Sequence, residues 1–342
     1  MNWRGVNYDV GIEYGTRHHS RPTFDPDIVR RELHIIATDL HCNAVRISGT
    51  DPQRLTVAAR YALDAGLDTW LSPQLIDRSP QQTLDYIVRC AEAAEGLRGH
   101  RDAVTFVLGC ELTLFMNGII KGRTMIERVR NPATLLKLKL LKTHNKPLNE
   151  FLTRATTAVR QVYKGPLTYA ALPIEAVDWT LFDIIGLDYY RAKRNRATYG
   201  QSLATWSVHD KPVVVTEVGL CPYQGAEDKG PHGFMIVEDA PDGAGGMRLN
   251  GDYIRDEAMQ ARELIEMLRI LEAAGADGTF VFTFVTPALP HSTQPRLDLD
   301  LGGFGLVTTH TDREGTRYPG LPWDPKPSFQ AVADHYAAAT RQ

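Results

Sequence analysis

Eight short apolar runs, each followed by a longer stretch of helical periodicity, constrain this 342-residue chain more than any other feature. The runs are Gly5 to Tyr8, Ala44 to Ser48, Asp68 to Ser72, Val104 to Gly109, Leu167 to Ala171, Ile184 to Tyr189, Val213 to Glu217 and Thr279 to Phe284. Their composition reads as strand, whereas Pro26 to Thr38, Pro52 to Ala65, Pro80 to Leu97, Pro147 to Tyr163 and Asp252 to Ala274 read as helix. Several of these helices open with proline in the first turn, where its missing N–H costs little. Asp51-Pro52 and Ser79-Pro80 also set a capping side chain ahead of that proline. Nearly continuous apolar strands alternating with helices imply a parallel sheet covered on its faces. Eight such units suit an α/β architecture, a (β/α)8 barrel filling one domain over residues 1–342. A doubly wound sheet would carry a glycine-rich phosphate turn after its first strand, and Asp9-Val10-Gly11-Ile12-Glu13-Tyr14-Gly15 does not fit GxGxxG.

Composition removes several classes. With 38 basic and 41 acidic side chains, the chain has a net charge of −3 and no global field that would draw it to nucleic acid or an anionic membrane. The start, Met1 to Tyr8, enters a strand-like segment without the basic flank and apolar run of a secretory signal. No apolar run approaches the roughly 18 residues of a membrane span. Cys42, Cys90, Cys110 and Cys221 lack CxxC spacing and read as reduced thiols rather than disulfides or a metal site. Together these features predict a cytoplasmic protein without an integral membrane segment, and no motif fixes an oligomeric state.

Two connections exceed simple turns, Leu112 to Lys146 after the fourth strand and Leu220 to Gly251 after the seventh. Both project from the barrel face on which active sites are built. The glycine-rich second one reads equally as a mobile lid or a surface excursion. The first carries eight basic side chains against Glu127 alone between Lys121 and Lys146. Its Leu135 to Lys142 segment has the pattern of a basic amphipathic helix, read here as a solvated cap over the mouth in preference to a surface for an anionic substrate, lipid or partner.

Side chains at the carboxyl ends of barrel strands converge on one pocket, and two glutamates end apolar runs there. Glu111 follows Val104-Thr105-Phe106-Val107-Leu108-Gly109-Cys110, and Glu217 follows Pro212-Val213-Val214-Val215-Thr216. A carboxyl group ending a run of valines is expensive to bury without a partner or a task. Paired carboxylates across a pocket match the needs of glycoside hydrolysis, in which one protonates the leaving oxygen and the other attacks the anomeric carbon or activates water.

On these residues the chain resembles the clan A superfamily of retaining glycoside hydrolases, which carry the acid/base on strand 4 and the nucleophile on strand 7. The resemblance runs along nearly the whole chain. Arg46 in Asn43-Ala44-Val45-Arg46-Ile47 matches the strand 2 arginine near the nucleophile, and Tyr189 or Tyr190 falls where such enzymes place a tyrosine after strand 6. Lys326-Pro327-Ser328-Phe329 resembles the start of their last helix. The chain is also similar to bacterial proteins labelled abortive infection proteins. The superfamily resemblance implies Glu111 as general acid/base and Glu217 as nucleophile, acting on a small-molecule glycoside without metal or organic cofactor. Two departures stand out: Cys110 occupies the position of the asparagine that contacts the sugar 2-hydroxyl, and strand 8 offers Phe284 in place of a stacking tryptophan. They leave open a biosynthetic transglycosylase, a proton-transfer catalyst or a non-catalytic binding protein on the same barrel.

Further candidates lie in top-face loops. Asp9 and Glu13 suit either sugar contacts or loop hydrogen bonds, and Gln74, Glu175, Tyr223 and His291 occupy similar places. His18 and His19 are adjacent, which suits surface or substrate contact rather than metal ligation. Trp70 and Trp179 are expected in the core, and Asp298-Leu299-Asp300 lacks the full calcium-loop pattern.

Overall fold

The computed structural model describes residues 1–15, 18–99, 103–130, 138, 140–240 and 246–340. Eight parallel strands close a barrel in chain order: β1 (Trp3–Asp9), β2 (Ala44–Gly49), β3 (Asp68–Pro73), β4 (Val104–Cys110), β5 (Leu167–Ala171), β6 (Ile185–Asp188), β7 (Val213–Val218) and β8 (Gly278–Val281). The long outer helices are α1 (Pro26–Thr38), α2 (Pro52–Asp64), α3 (Pro80–Arg98), α4 (Asn145–Val162), α6 (Glu257–Ala273) and α7 (Pro327–Thr340), with a short α5 (Tyr199–Ala204) after β6. After β5 a single 3₁₀ turn, Trp179–Leu181, replaces the helix.

The caps expected at Asp51 and Ser79 form, and Asp25 adds a third. Asp25 and Asp51 accept from the first backbone N–H groups of α1 and α2, each with proline in the first turn, and Ser79 makes a capping box with Gln82 on α3. Two boundaries differ from expectation by three residues or more. Helix α6 begins at Glu257 rather than Asp252 because Arg255 bridges to Tyr223 and Asp256 caps Met259. Strand β8 ends at Val281 rather than Phe284, and the Phe282–Thr283 peptide bond is cis.

Ala44, Trp70, Val107, Ala170, Ile184, Val214 and Phe280 fill the barrel interior, with Trp3 closing its lower end. Trp70 packs against Trp3 and Phe280 with ring centroids 5.4 and 4.8 Å away, which makes it core as expected. These rings fit because Gly5 is bare: a Cβ there would lie 2.3 Å from Phe280. Trp179 is buried in the outer layer against Phe182 and Trp206. With the lower interior filled by aromatics, the polar residues stand above it at the carboxyl ends of the strands.

Three register shifts occur where that polar layer begins. They lie between Val107 and Cys110, between Leu187 and Asp188, and between Thr279 and Val281, and they pair Cys110 with Ala170 and Asp188 with Glu217. A bulge re-aims the side chains beyond it.

Candidate active site

Arg46 on β2 is fully buried and reaches across the barrel to Glu217 on β7. Its Nη1 donates to Glu217 Oε1 at 2.8 Å and Asn7 Oδ1 at 3.1 Å, and its Nε donates to Ser72 Oγ at 3.2 Å. The Tyr190 hydroxyl donates to Glu217 Oε2 at 2.8 Å. Each oxygen of the Glu217 carboxylate therefore has a dedicated donor, one of them charged. Asn7 completes the frame by donating from Nδ2 to the Thr216 carbonyl at 2.9 Å.

Glu111 stands immediately after β4 with φ 46° and ψ 40°, a left-handed conformation that costs a non-glycine residue about 1 kcal/mol or more. The turn that holds it is over-determined. Leu112 N–H donates to the Tyr169 hydroxyl oxygen at 2.8 Å, and Thr113 N–H donates to Glu175 Oε1 at 3.1 Å. The buried Glu175 also accepts from Leu172 N–H and from the Tyr169 hydroxyl. No hydrogen bond to the Glu111 carboxyl is made among the described residues. Burial first, and then the neighbouring carboxyls of Asp188, Glu217 and Glu175, push that group well above the ordinary range, with Arg46 pulling the other way. The environment thus separates the two glutamates: Glu217 receives a cation and a phenol, whereas burial and the neighbouring carboxyls favour the neutral form of Glu111.

A third carboxyl lies between them. Asp188 ends β6 with its side chain buried, accepting from Thr216 Oγ1 at 2.7 Å, and its Oδ2 is 3.3 Å from Cys110 Sγ. Cys110 Sγ is also 3.8 Å from Glu217 Oε1. Burial first, and then the neighbouring Asp188 carboxyl, raise the thiol well above its ordinary range, so it is neutral here. Cys110, Asp188 and Glu217 bring possible metal-ligand atoms within 4.8 Å of one another. The Arg46 guanidinium, 2.8 Å from Glu217 and 3.8 Å from Asp188, already supplies the positive charge of this set and would oppose a cation there.

Loops roof the pocket. After β1, Glu13–Tyr14 pairs antiparallel with His18–His19. Tyr14 faces the acidic cluster: burial first, and then Asp9 and Glu217, raise its hydroxyl. In the β7 loop, Val237–Asp239 pairs with Met247–Leu249. Asp239 lies 3.1 Å from His18 Nε2 in the β1 loop, while the Val237 carbonyl accepts from Arg130 in the β4 loop at 3.4 Å. Val237 also packs on Gly302 in the β8 loop, where a Cβ would come within 2.3 Å of it. Since β4 lies opposite β8 in the barrel, a hairpin touching the β1, β4 and β8 loops straddles the mouth.

The structure brings Glu111, Glu217, Arg46, Cys110 and Tyr190 together and leaves other expected residues outside. Tyr189 points into the helical layer, where it donates to the Tyr199 carbonyl and stacks on the Tyr199 ring at 4.7 Å. Phe284 is core, packed against Tyr8, Trp323 and Phe329, and the aromatics that meet Tyr190 are Phe304 and Phe282, with ring centroids 5.8 and 6.4 Å away. Tyr223 donates to the Gly233 carbonyl and secures the β7 loop. Asp9 accepts from Gly11 N–H at 2.6 Å and so stabilises its own turn, and Glu13 is exposed. Gln74 is buried beside a small nook lined by Gly109 and Cys110. His291 pairs with Asp298, while Asp298 and Asp300 are taken up by Arg255 and Lys326. In the basic insertion, Arg128 is fully buried and anchors the segment by donating to the Leu114 and Gly122 carbonyls, to Asn117 and to Asp77, whereas Lys121, Arg123, Arg130 and Lys142 are exposed. Half of the Leu135 to Lys142 segment, residues 135–137 and 139, lies outside the described residues.

Sequence reading missed Asn7, Tyr14, Asp188 and Thr216. Strand alternation was the available signal for two of them. Ile184, Gly186, Asp188 and Tyr190 share one face of β6, and Ile184 is an interior residue; Trp3, Gly5 and Asn7 share one face of β1.

No family model matches the chain, and no curated protein matches it. Among solved structures it is similar to a complex of a GH113 β-1,4-mannanase at 13% identity and a TM-score of 0.61, covering 99% of this chain and 100% of that one. It is similar to the GH113 β-mannanase AaManA from Alicyclobacillus acidocaldarius in complex with ManMIm at 16% identity and a TM-score of 0.57, covering 98% and 97%. A third is the β-glycosidase BGL167, at 14% identity and a TM-score of 0.56, covering 99% and 96%. At these identities the likeness establishes the barrel fold. No helix among the described residues is long and apolar enough to cross a membrane.

Proposed function

We propose that this protein is a retaining glycoside hydrolase acting on a small glycoside, with Glu217 as nucleophile and Glu111 as general acid/base. The carrying observation is the asymmetry of the two glutamates: Glu217 receives Arg46 and Tyr190 at 2.8 Å each, whereas the Glu111 carboxyl receives no hydrogen bond among the described residues and is raised by burial and neighbouring negative charge. In the first step Glu217 attacks the anomeric carbon as the glycosidic C–O bond breaks, and the Glu111 proton goes to the leaving oxygen. Glu217 is then an ester and has lost its charge. One cause of the raised Glu111 carboxyl disappears, and Glu111 as carboxylate takes a proton from the water that displaces the sugar. The fold shared with the mannanases and the β-glycosidase supports the reading, and the hairpin straddling the mouth favours a short glycoside over a threaded polymer.

The test is a panel of aryl glycosides given to the wild type, Glu217→Gln and Glu111→Gln. Glu217→Gln abolishes turnover on every substrate. Glu111→Gln loses far more on poor leaving groups than on activated ones, since only the former need the proton. Equal losses across leaving groups would remove Glu111 from the acid role, and an inverted anomeric product seen by NMR would remove Glu217 from the nucleophilic one.

A further inference from the structure

Asp188 is the carboxyl of this pocket that the reaction just described does not use. Its side chain is fully buried, so it touches no substrate. Its contacts are all structural: Oδ1 accepts from Thr216 Oγ1 on β7 at 2.7 Å, and Oδ2 meets the Cys110 thiol on β4 at 3.3 Å. The charged and titratable groups facing it come from each neighbouring element. Strand β4 brings Cys110 and Glu111 behind it, β7 brings Glu217, β2 brings Arg46, and Tyr190 and Tyr14 close the ring, while β5 pairs with β6 through Ala170 and Ala171 and brings none. Three carboxyls thus share one guanidinium. Its Nη1 is 2.8 Å from Glu217 and 3.8 Å from Asp188, so the cation is committed to the nucleophile. Ionising all three would leave two uncompensated negative charges in a site with little water.

We infer that Asp188 is a positioning residue that stays protonated while the site works, tying the end of β6 to β4 and β7 and leaving Glu217 as the one carboxylate that Arg46 neutralises. Burial and the Glu217 charge support this by pushing Asp188 up to about 8. Its protonation stands on the cluster geometry, while its kinetic consequence rests on the glycosidase reading. A neutral Asp188 lets the nucleophile sit beside a thiol and a carboxylic acid rather than a second anion. Above its titration range the second anion appears, competes for Arg46 and draws the guanidinium away from Glu217.

Infrared titration of protein carrying ¹³C-labelled aspartate tests the proton directly. The expected result is a protonated aspartic acid band present at pH 7 and lost around pH 8, absent in D188N. The band must survive in D9N, since Asp9 is the other buried aspartate with a raised carboxyl among the described residues; this comparison alone assigns the band if D188N does not fold. Absence of such a band in the wild type, or its loss in D9N, overturns the inference. In kinetics on the aryl glycoside panel, D188N at pH 6 keeps kcat/KM within about threefold of wild type, because asparagine imitates the neutral acid. On the alkaline side the wild type loses activity about a hundredfold per pH unit, from two protons, and D188N about tenfold, from Glu111 alone. Equal alkaline slopes in the two proteins overturn the inference. The infrared band appears even if no glycoside is hydrolysed, so a silent panel counts against the glycosidase reading and leaves the proton of Asp188 standing.

Discussion

Replacing Arg46 by methionine keeps most of the side-chain volume and removes the charge on which the pocket is balanced. In the native site this fully buried guanidinium bonds Glu217, Asn7 and Ser72 at 2.8, 3.1 and 3.2 Å. Removing one partner of such a buried pair leaves an uncompensated charge and costs about 3–5 kcal/mol. The loss carries a pH signature. Arg46 lowers the proton affinity of both Glu111 and Asp188, so without it both carboxyls rise further in the folded protein while keeping ordinary values in the unfolded chain. The folded state then binds more protons than the unfolded state across a wider window above about pH 4, and stability falls as pH rises through it. Every further tenfold gain in a carboxyl's proton affinity adds about 1.4 kcal/mol to that fall. The native protein already keeps its Asp188 proton up to about pH 8, so the widening lies above that, and urea denaturation should show R46M destabilised by about 3–5 kcal/mol at pH 8 and by at least about 1.4 kcal/mol more at pH 10, with an unchanged m value. Adding E217Q should recover at least about 1 kcal/mol at pH 8, because the orphaned charge is then gone. Equal losses at the two pH values, or a loss below about 1 kcal/mol at pH 8, would refute the claim that Arg46 balances this cluster.

Other positions give independent checks. Cys110→Asn puts an amide where the superfamily resemblance expects one and should raise kcat/KM on 2-hydroxylated aryl glycosides but not on their 2-deoxy analogues; no difference between the two sets would show that the missing amide is not limiting. Gly186→Ala places a Cβ 2.4 Å from the Tyr169 carbonyl oxygen and should cost about 2 kcal/mol or more in a denaturation curve, because backbone on both sides has to move. Asp239→Ala cuts the exposed contact to His18 and should change global stability by less than about 1 kcal/mol while speeding amide exchange at Val237 to Asp239. Unchanged exchange there would mean that this contact does not hold the hairpin down.

The amino-acid sequence alone determines the barrel and the two glutamates, because both are written in local patterns. Short apolar runs between capped, proline-led helices admit few arrangements, and the structure closes them in chain order. Glu111 and Glu217 declare themselves as carboxyls that end runs of buried residues, and Arg46 is the cation within such a run. Alternation also carries a finer assignment: on β6 the face that includes Ile184 leads to Asp188 and Tyr190, not to Tyr189.

Tertiary structure decides what lies beyond the strand ends. A register shift reverses which face the side chains beyond it take: β4 gains a residue on β5 between Val107 and Cys110, and β7 gains Thr216 on β6 before Glu217, shifts that are properties of paired strands rather than of either sequence. They bring Cys110, Asp188 and Glu217 within 4.8 Å, three residues far apart along the chain. The early end of β8 places Phe282 rather than Phe284 against Tyr190. The hairpin across the mouth is likewise set by contacts from three loops, each weak and none visible in a local pattern. The protonation of the site is decided there as well, since the charge that each carboxyl can carry depends on the single guanidinium that folding places among three of them.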